Sequence, residues 1–233
     1  AKDLVKYGYV KKSSQIDIAP LGVSQRFKPA EKHDVAMLAK IKEKFSLPEE
    51  YILFVGRLNV RKNIEHLLLS IPLLEHKTIP VVIVGKEDWK SPNLNAIINT
   101  EIQQRIIFTG GVSDEELTAI YALAKIFCFP SYAEGFGLPP LEAMASGVPV
   151  IVSNRTALPE VCGDAAVYIN PDEPQSIADA INLLLADKNT YNLKRNAGLK
   201  RAELFSWKNS ATKLMDSILK TSNTSSKHST FNL

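Results

Sequence analysis

The sequence is poor in cysteine and contains no long apolar run. Cys128 and Cys162 are its 2 cysteines in 233 residues, and they form no CxxC or other metal-ligand pattern. We therefore expect buried free thiols in a reducing compartment, without a protein metal site. No segment approaches the roughly 18 apolar residues of a membrane-spanning helix. The first residues, AKDLVKYGYVKK, lack the apolar region of a signal peptide.

The charge and composition exclude further classes of protein. A net charge of +3 is too small to indicate binding to nucleic acid or to an anionic membrane by itself. With 45% hydrophobic and 23% charged residues, the composition is that of a globular protein with a core. We find neither a nucleophile elbow nor a Ser/His/Asp arrangement. These observations predict a soluble, cytoplasmic protein without a nucleic-acid partner.

From residue 51 onward, short apolar runs alternate with helical patterns. Each run has the continuous apolar character of a strand buried on both faces. The alternation predicts an α/β protein with a Rossmann-like, doubly wound parallel sheet of about six strands. The predicted strands are 51–55, 80–84, 105–108, 126–129, 148–152 and 165–169. The predicted helices are 1–8, 30–45, 64–75, 94–104, 113–124, 139–147, 174–186, 191–205 and 208–220.

Local signals indicate where some of these helices begin. Ser113 and Glu116 form the pattern of a capping box. Asn63 is a candidate N-cap for the helix at 64–75. The predicted apolar face of the helix at 30–45 consists of Val35, Leu38, Ile41 and Phe45.

The segment from residue 129 to residue 152 contains the densest group of candidate functional residues. Its loop holds Gly135 and Gly137 and is bracketed by Glu134 and Glu142. Glycine permits a ligand to approach the backbone and permits positive φ. The helix that begins at Pro139–Pro140 directs its dipole and free N–H groups toward the loop, which favours an anion. An ordinary β-turn-α corner is the alternative interpretation, because short glycine patterns are weak evidence.

Similar residues follow the other predicted strands. In a doubly wound sheet, ligands bind at the carboxyl ends of the strands. Arg57 and Lys62, just before a helix, suit a diphosphate. With Arg61 between them, a run of solvated surface cations is the alternative. Leu158–Pro159–Glu160 fits a helix start nearly as well as a ligand contact. The pairs that follow the first three strands are Gly56–Arg57, Gly85–Lys86 and Gly110–Gly111.

Five stretches together carry a family resemblance: VGRLNVRKN, FTGGVSDEELTAIYALA, FPSYAEGFGLPPLEAMASGVPVIVSN, ALPEVCGDAA and FSW. They resemble the nucleotide-sugar-binding half of the family 4 retaining glycosyltransferases, which have the GT-B fold. The similarity runs from about Asp17 to Trp207. The family signature, a glutamate followed eight residues later by another, is present as Glu134 and Glu142.

The resemblance implies a role for each matched position. Glu142 would bind the ribose hydroxyls, and Glu134 would hold the donor sugar's hydroxyls. Arg57 and Lys62 would neutralise the diphosphate as the bond to the sugar breaks. The helix N-terminus behind Leu138 would contact the phosphates, and the base would lie near Gly110 to Val112. The implied donor-binding positions besides Glu142 are Gly56, Gly110, Val112, Gly135, Phe136, Gly137 and Leu138.

The resemblance also implies the reaction and its partners. Family members retain the anomeric configuration, through a front-face attack in which the leaving phosphate helps to deprotonate the acceptor. They generally need no metal, and we expect no cofactor. The amino-acid sequences of the motifs resemble those of bacterial mannosyltransferases of cell-surface polysaccharide assembly, so GDP-mannose is the expected donor. A glycan or lipid-linked acceptor and a peripheral position of the full enzyme at the inner face of the membrane are also expected.

The predicted domain limits follow from the same comparison. Residues 1–25 correspond to the remnant of an N-terminal domain and a linker, and 26–207 to the donor-binding domain. A C-terminal helix at 208–220 and a disordered tail at 221–233 complete the chain. Family enzymes bind the acceptor with an N-terminal domain that closes over the donor, so the chain is expected to be a fragment or one subunit of a split enzyme.

A stand-alone nucleotide-sugar-binding module, without activity by itself, is the alternative to an enzyme part. Glu134 distinguishes the two, since a pure nucleotide binder has little need of a group aimed at the sugar. A GT-B epimerase or phosphorylase fits the motifs less well.

Overall fold

The computed structural model describes residues 2–86, 97–98 and 100–226. It divides into two compact units. The larger unit is Gln25–Leu204, and the smaller unit joins Ala1–Ser24 to Phe205–Leu233. Phe205–Trp207, predicted as the end of the donor-binding domain, therefore lie in the smaller unit.

A six-stranded, fully parallel sheet forms the centre of the larger unit. Its strand order is β3-β2-β1-β4-β5-β6, so the chain builds one half outward from β1 and the other outward from β4. This confirms the predicted α/β, doubly wound, Rossmann-like fold. The strands are β1 Ile52–Val55, β2 Val81–Val84, β3 Ile106–Gly110, β4 Ile126–Phe129, β5 Val150–Ser153 and β6 Ala166–Ile169.

The strands are short and apolar, and three of them are buried on both faces of the sheet. The side chains of β2, β4 and β5 are buried throughout, as in parallel sheets with helices on both sides. In chain order, the α-helices are α1 Lys2–Lys6, α2 Val35–Lys44, α3 Ile64–Ser70, α4 Thr100–Gln103, α5 Asp114–Leu123, α6 Leu138–Ala145, α7 Leu158–Cys162, α8 Pro174–Ala186, α9 Lys188–Glu203 and α10 Trp207–Ser226.

The first predicted helix of the larger unit is divided. A 3-10 turn at Ala30–Lys32 precedes α2, which begins after Asp34 because the Asp34 carboxylate accepts the Met37 N–H at 2.8 Å. Val35 was predicted to lie on the buried face of this helix, but it is 79% exposed. Leu38 and Ile41 are buried as predicted.

Other helix boundaries differ where a cap or a turn decides them. The capping box of Ser113 and Glu116 is present at the start of α5. The Asp187 carboxylate caps α9, which therefore begins at Lys188 rather than at the predicted residue 191. The helix at 64–75 ends at Ser70 and continues as the 3-10 turn Ile71–Leu73. The predicted helix at 94–104 lies largely outside the described residues, and α4 is its described part.

The smaller unit contains α1, α10 and a parallel bridge between Val23 and Ser206. A Cβ at Gly22 would lie 2.1 Å from the Trp207 nitrogen, so only glycine permits this approach of the two segments. Helix α10 runs to Ser226, so residues 221–226 of the predicted tail are helical and the rest lies outside the described residues. None of the described helices combines the length and the apolar character needed to cross a membrane.

Asn63 joins the segments that follow three strands and is the N-cap residue of α3, as the sequence predicts. Its backbone is left-handed (φ 54°), and its side chain makes no capping hydrogen bond. Instead, the buried amide nitrogen donates to the carbonyls of Pro130 (3.1 Å) and Pro171 (2.7 Å). Asparagine tolerates positive φ better than most residues. Asn63 therefore holds the segment after β1 against the segments after β4 and β6.

We expect Asn63→Ala to lower the free energy of unfolding by about 2–4 kcal/mol, because the buried carbonyls of Pro130 and Pro171 lose the amide donor that joins them and alanine is strained at positive φ. Urea denaturation measures the change. The control is Asn192→Ala on the exposed face of α9, which should change stability by less than about 0.5 kcal/mol. Equal effects of the two substitutions would contradict the assigned role of Asn63.

Candidate functional site

The carboxyl ends of β1 and β4 border the centre of the site. These strands are neighbours in the sheet, although β2 and β3 separate them in the sequence. The crossovers leave them in opposite directions, which opens a crevice at the point where the strand order reverses. The segment after β1 supplies Gly56 to Asn63, and the segment after β4 supplies Pro130 to Gly137.

Lys62 and Glu134 form an ion pair across this crevice. The Lys62 Nζ donates to Glu134 Oε1 at 2.7 Å. Only 11% of the Lys62 side chain and 9% of the Glu134 side chain are exposed. The same ammonium lies 4.6 Å from the ring centroid of Phe129, in cation–π geometry. A buried charge is costly without such partners, so these two side chains fix each other's positions.

Arg61 and Ser131 make further contacts with Glu134 that the sequence did not reveal. The Arg61 Nη1 donates to Glu134 Oε2 at 3.3 Å and to the Ala133 carbonyl at 2.8 Å. The Ser131 hydroxyl lies 2.6 Å from Glu134 Oε1. The sequence indicates only a run of surface charges at Arg61, whereas the structure shows that its guanidinium contacts the candidate sugar-binding loop.

Thr156 contacts the backbone of the same loop. Its Oγ1 accepts the Glu134 N–H at 2.9 Å. Thr156 follows β5, and nothing in the local sequence indicates this contact. Together with Lys62, Arg61 and Ser131, it surrounds Glu134 with polar partners from the segments after β1, β4 and β5.

Glu142 forms a second polar contact, about one turn into α6. Its Oε2 accepts a hydrogen bond from the Tyr121 hydroxyl of α5 at 3.0 Å. Burial raises the pKa of Glu142 above its ordinary value of 4.5, against the opposing effect of the Tyr121 hydrogen bond. Tyr121 is fully buried, and its ring packs edge-on against Phe27 at 5.4 Å. Tyr121 therefore sets the orientation of the Glu142 carboxylate.

Gly137 shapes the start of α6, which begins at Leu138 rather than at the prolines. Gly137 is the N-cap residue and has φ 110°. The backbone conformation therefore favours glycine, and a Cβ there would also lie 2.8 Å from the Leu158 Cδ2, which would have to shift. Since Pro139 and Pro140 have no N–H, the first turn of α6 has fewer backbone donors than an ordinary helix. The helix dipole points at the loop, but with fewer donors than the sequence suggested.

The remaining predicted positions lie along the same edge of the sheet. Gly56 lies beside the Lys62 side chain, since a Cβ there would be 3.7 Å from its Cδ. Arg57 is exposed just after β1. Gly110 ends β3 and Val112 follows it, three strands from β4, or roughly 14 Å at about 4.8 Å per strand. The exposed Gly135 and the half-buried Phe136 lie in the loop between Glu134 and Gly137.

The two cysteines are separate and buried, and burial raises the pKa of the Cys162 thiol to about 12. Among the described residues, no group of three or more His, Cys, Asp or Glu side chains is arranged to hold a metal ion.

The sequence of residues 38–201 matches the family described as glycosyl transferases group 1. The chain therefore belongs to this family. Its sheet and helices fit the C-terminal domain of a GT-B glycosyltransferase, which confirms the resemblance drawn from the sequence motifs.

A curated relative of the chain is the O-antigen chain mannosyltransferase B of Escherichia coli. The two are 38% identical over 170 residues, which cover 71% of this chain and 45% of the relative. The chain thus spans less than half the length of this relative.

Two solved structures show the same fold. Sucrose-phosphate synthase from Thermosynechococcus elongatus aligns with 97% of this chain and 56% of its own, with a TM-score of 0.76 and 26% identity. The C-terminal domain of a glycosyl transferase group 1 family protein from Francisella tularensis aligns over 78% of this chain and 97% of its own. Its TM-score is 0.63 and its identity is 25%.

The raised pKa of Glu142 predicts a pH-dependent cost in stability. Since the folded state favours the protonated carboxyl, stability falls as the pH rises from 4.5 through the higher pKa of the folded state. We expect Glu142→Gln to melt at a higher temperature than the parent chain at pH 7, with the difference disappearing below pH 4.5. Calorimetric melting between pH 4 and pH 8 measures this. A melting-temperature difference between Glu142→Gln and the parent chain that stays constant from pH 4 to pH 8 would contradict the prediction.

Proposed function

We propose that the chain is the donor-binding domain of a retaining hexosyltransferase, which moves mannose from GDP-mannose to a glycan or lipid-linked acceptor. Family membership and the named mannosyltransferase relative support this reaction class. The observation that carries the proposal is the buried Lys62–Glu134 pair at the crevice between β1 and β4. The chain spans less than half of its relative, and we propose that an N-terminal domain of the full enzyme binds the acceptor.

In this proposal Glu142 binds the nucleoside. Its carboxylate would accept hydrogen bonds from the ribose hydroxyls, while the Tyr121 hydroxyl holds Oε2 in place. The base would lie toward β3, near Gly110 to Val112. A Cβ at Gly110 would have no heavy atom of the described residues within 4 Å, so a planar ring can approach the backbone there.

Glu134 would bind the donor sugar through Oε2. Oε1 already accepts from Lys62 at 2.7 Å and from Ser131 at 2.6 Å, whereas Oε2 accepts the longer contact from Arg61 at 3.3 Å. An ionised carboxylate oxygen accepts more than one hydrogen bond. Oε2 is therefore better placed to accept from a sugar hydroxyl, and the N–H groups of Phe136 and Gly137 would donate to other oxygens of the same sugar.

The diphosphate would be bound by Arg57, Lys62 and the Leu138 N–H. Arg57 presents an exposed guanidinium, and Lys62 would share its ammonium between Glu134 and a phosphate oxygen. Positive groups aimed at the leaving diphosphate stabilise the charge that grows as the bond to the sugar breaks. The leaving phosphate would then help to deprotonate the acceptor on the same face of the sugar. In this proposal the reaction requires no metal.

We further propose that the full enzyme is cytoplasmic and binds the inner face of the membrane peripherally.

The first test is a calorimetric titration of the chain with GDP, UDP and ADP, and then with GDP-mannose. We expect GDP to bind best and Glu142→Ala to weaken its binding at least tenfold, which is the loss of about one or two hydrogen bonds to a charged acceptor. Glu203→Ala, on the exposed end of α9, should bind GDP as the parent chain does. Added EDTA should change nothing if no metal is needed. Equal GDP affinity in the Glu142→Ala variant would remove the ribose assignment, and binding of none of the three nucleotides would contradict a donor site within this chain.

Arg57→Ala tests the diphosphate assignment separately. A cation that contacts the outer phosphate should weaken GDP about tenfold while leaving GMP nearly unchanged. The control is Lys188→Ala, which removes one exposed positive charge at the start of α9 and should affect neither ligand. Equal losses for GDP and GMP in the Arg57→Ala variant would count against the assignment.

A further inference from the structure

Three side chains hold Glu134 in place, and none of them has a role in the proposed reaction. They are Ser131, Arg61 and Thr156. Each comes from a different segment, and each contacts a different atom of Glu134: Oε1, Oε2 and the backbone nitrogen. Glu134 is therefore fixed at both ends of its side chain before any ligand is present.

Ser131 holds the Oε1 oxygen. It is fully buried, and its hydroxyl lies 2.6 Å from Glu134 Oε1 and 3.0 Å from the Arg61 carbonyl. A hydroxyl has one proton to donate. Hydrogen bonds to an ionised acceptor are shorter and stronger than those to a neutral carbonyl. The Ser131 proton is thus directed to the carboxylate.

Arg61 holds both the Oε2 oxygen and the loop itself. The same Nη1 atom contacts Glu134 Oε2 and the carbonyl of Ala133, the residue before it. The Arg61 carbonyl in turn accepts the Tyr132 N–H at 2.9 Å. Its side chain is 51% exposed, so these contacts orient the loop without forming part of the core.

Thr156 holds the backbone of Glu134 from the opposite side. It accepts the Glu134 N–H, and it does so from a left-handed backbone with φ 55°. Positive φ is unfavourable for a β-branched residue, and residues with such strain cluster at functional sites. This strain is maintained at the contact with the candidate sugar-binding loop.

The loop needs these contacts for two reasons. At Gly135, no heavy atom of the described residues lies within 4 Å of the position that a Cβ would occupy, so packing does not hold the loop at this point. In addition, Lys62 would be shared with the diphosphate of a bound donor. When its ammonium turns toward a phosphate, a carboxylate that is only 9% exposed needs other donors.

We propose that Ser131, Arg61 and Thr156 are positioning residues, which hold Glu134 ready for the donor sugar and keep its charge compensated while Lys62 binds the diphosphate. The proposal rests on the proposed function for the role of Glu134. It predicts that these side chains affect recognition of the sugar and leave recognition of the nucleotide nearly unchanged.

The test compares the affinities of GDP and GDP-mannose in Ser131→Ala, Arg61→Met and Thr156→Ala variants by calorimetry. The measured quantity is the sugar increment, which we define as the dissociation constant of GDP divided by that of GDP-mannose. A lower increment therefore means that the sugar contributes less to binding. We expect each variant to lower the increment about as much as Glu134→Ala does, with the GDP affinity within about threefold of the parent chain. Adding Ser131→Ala to Glu134→Ala should lower it no further, and Thr156→Ser should restore it.

The chain offers a matched control for two of these substitutions. Ser146 is also buried, and its hydroxyl has no hydrogen-bond partner among the described residues, so Ser146→Ala removes a hydroxyl away from Glu134. Arg195 likewise donates to one carbonyl, of Gly147, and to one carboxylate, of Glu31. Ser146→Ala and Arg195→Met should leave the sugar increment unchanged.

The possible outcomes separate this proposal from the proposed function. An unchanged increment in the Ser131, Arg61 and Thr156 variants, with a lowered increment in Glu134→Ala, would overturn the positioning role alone. If GDP does not bind the parent chain, or Glu134→Ala leaves the increment intact, the proposed function of the site fails instead. In that case, amide hydrogen exchange of the Ser131, Arg61 and Thr156 variants without ligand decides the positioning role. Faster exchange of the 131–137 amides than in the parent chain, with β4 unchanged, supports the role. Unaltered exchange of these amides rejects it.

Discussion

The ion pair between Lys62 and Glu134 is the interaction on which the site depends. Each of these two largely buried charges compensates the other, and each comes from a segment that follows a different strand. Their attraction is effective only because β1 and β4 lie side by side, with their carboxyl ends at the same edge of the sheet. Asn63, next to Lys62, adds uncharged hydrogen bonds to this connection, because its amide donates to backbone carbonyls after β4 and β6. The strand order thus determines which charges meet, and the loops determine how closely.

Most of the fold could be predicted from the sequence, because a buried parallel strand has a continuous apolar pattern of its own. The pattern predicted β4 at the residues where it lies and the other strands to within about two residues. Asn63 shows where such prediction ends. It has the residue type of a helix cap, but its amide donates to carbonyls that lie 67 and 108 positions further along the chain. No local pattern contains that information.

The same limit separates the predicted from the unpredicted residues of the site. Glu134 and Glu142 could be identified because their spacing is a family signature within one loop and helix. Tyr121 contacts Glu142 from 21 positions earlier in the sequence, and Thr156 contacts Glu134 from 22 positions later. The residues around Tyr121 and Thr156 in the sequence do not indicate these contacts. Ser131 had a usable signal, since it lies only three residues before Glu134. Residues that orient functional groups are therefore harder to predict than the groups themselves.

The strand order also sets the time at which the crevice can form during folding. Lys62 and Glu134 are 72 positions apart in the sequence, and β2 and β3 lie between them. Closing so long a loop costs conformational entropy before the contacts it permits can offset that cost, and such pairings slow folding. A nascent chain that has emerged only as far as β3 can assemble one half of the sheet but has no crevice. The part of the protein that would bind a ligand is thus completed only after β4 has left the ribosome and docked against β1.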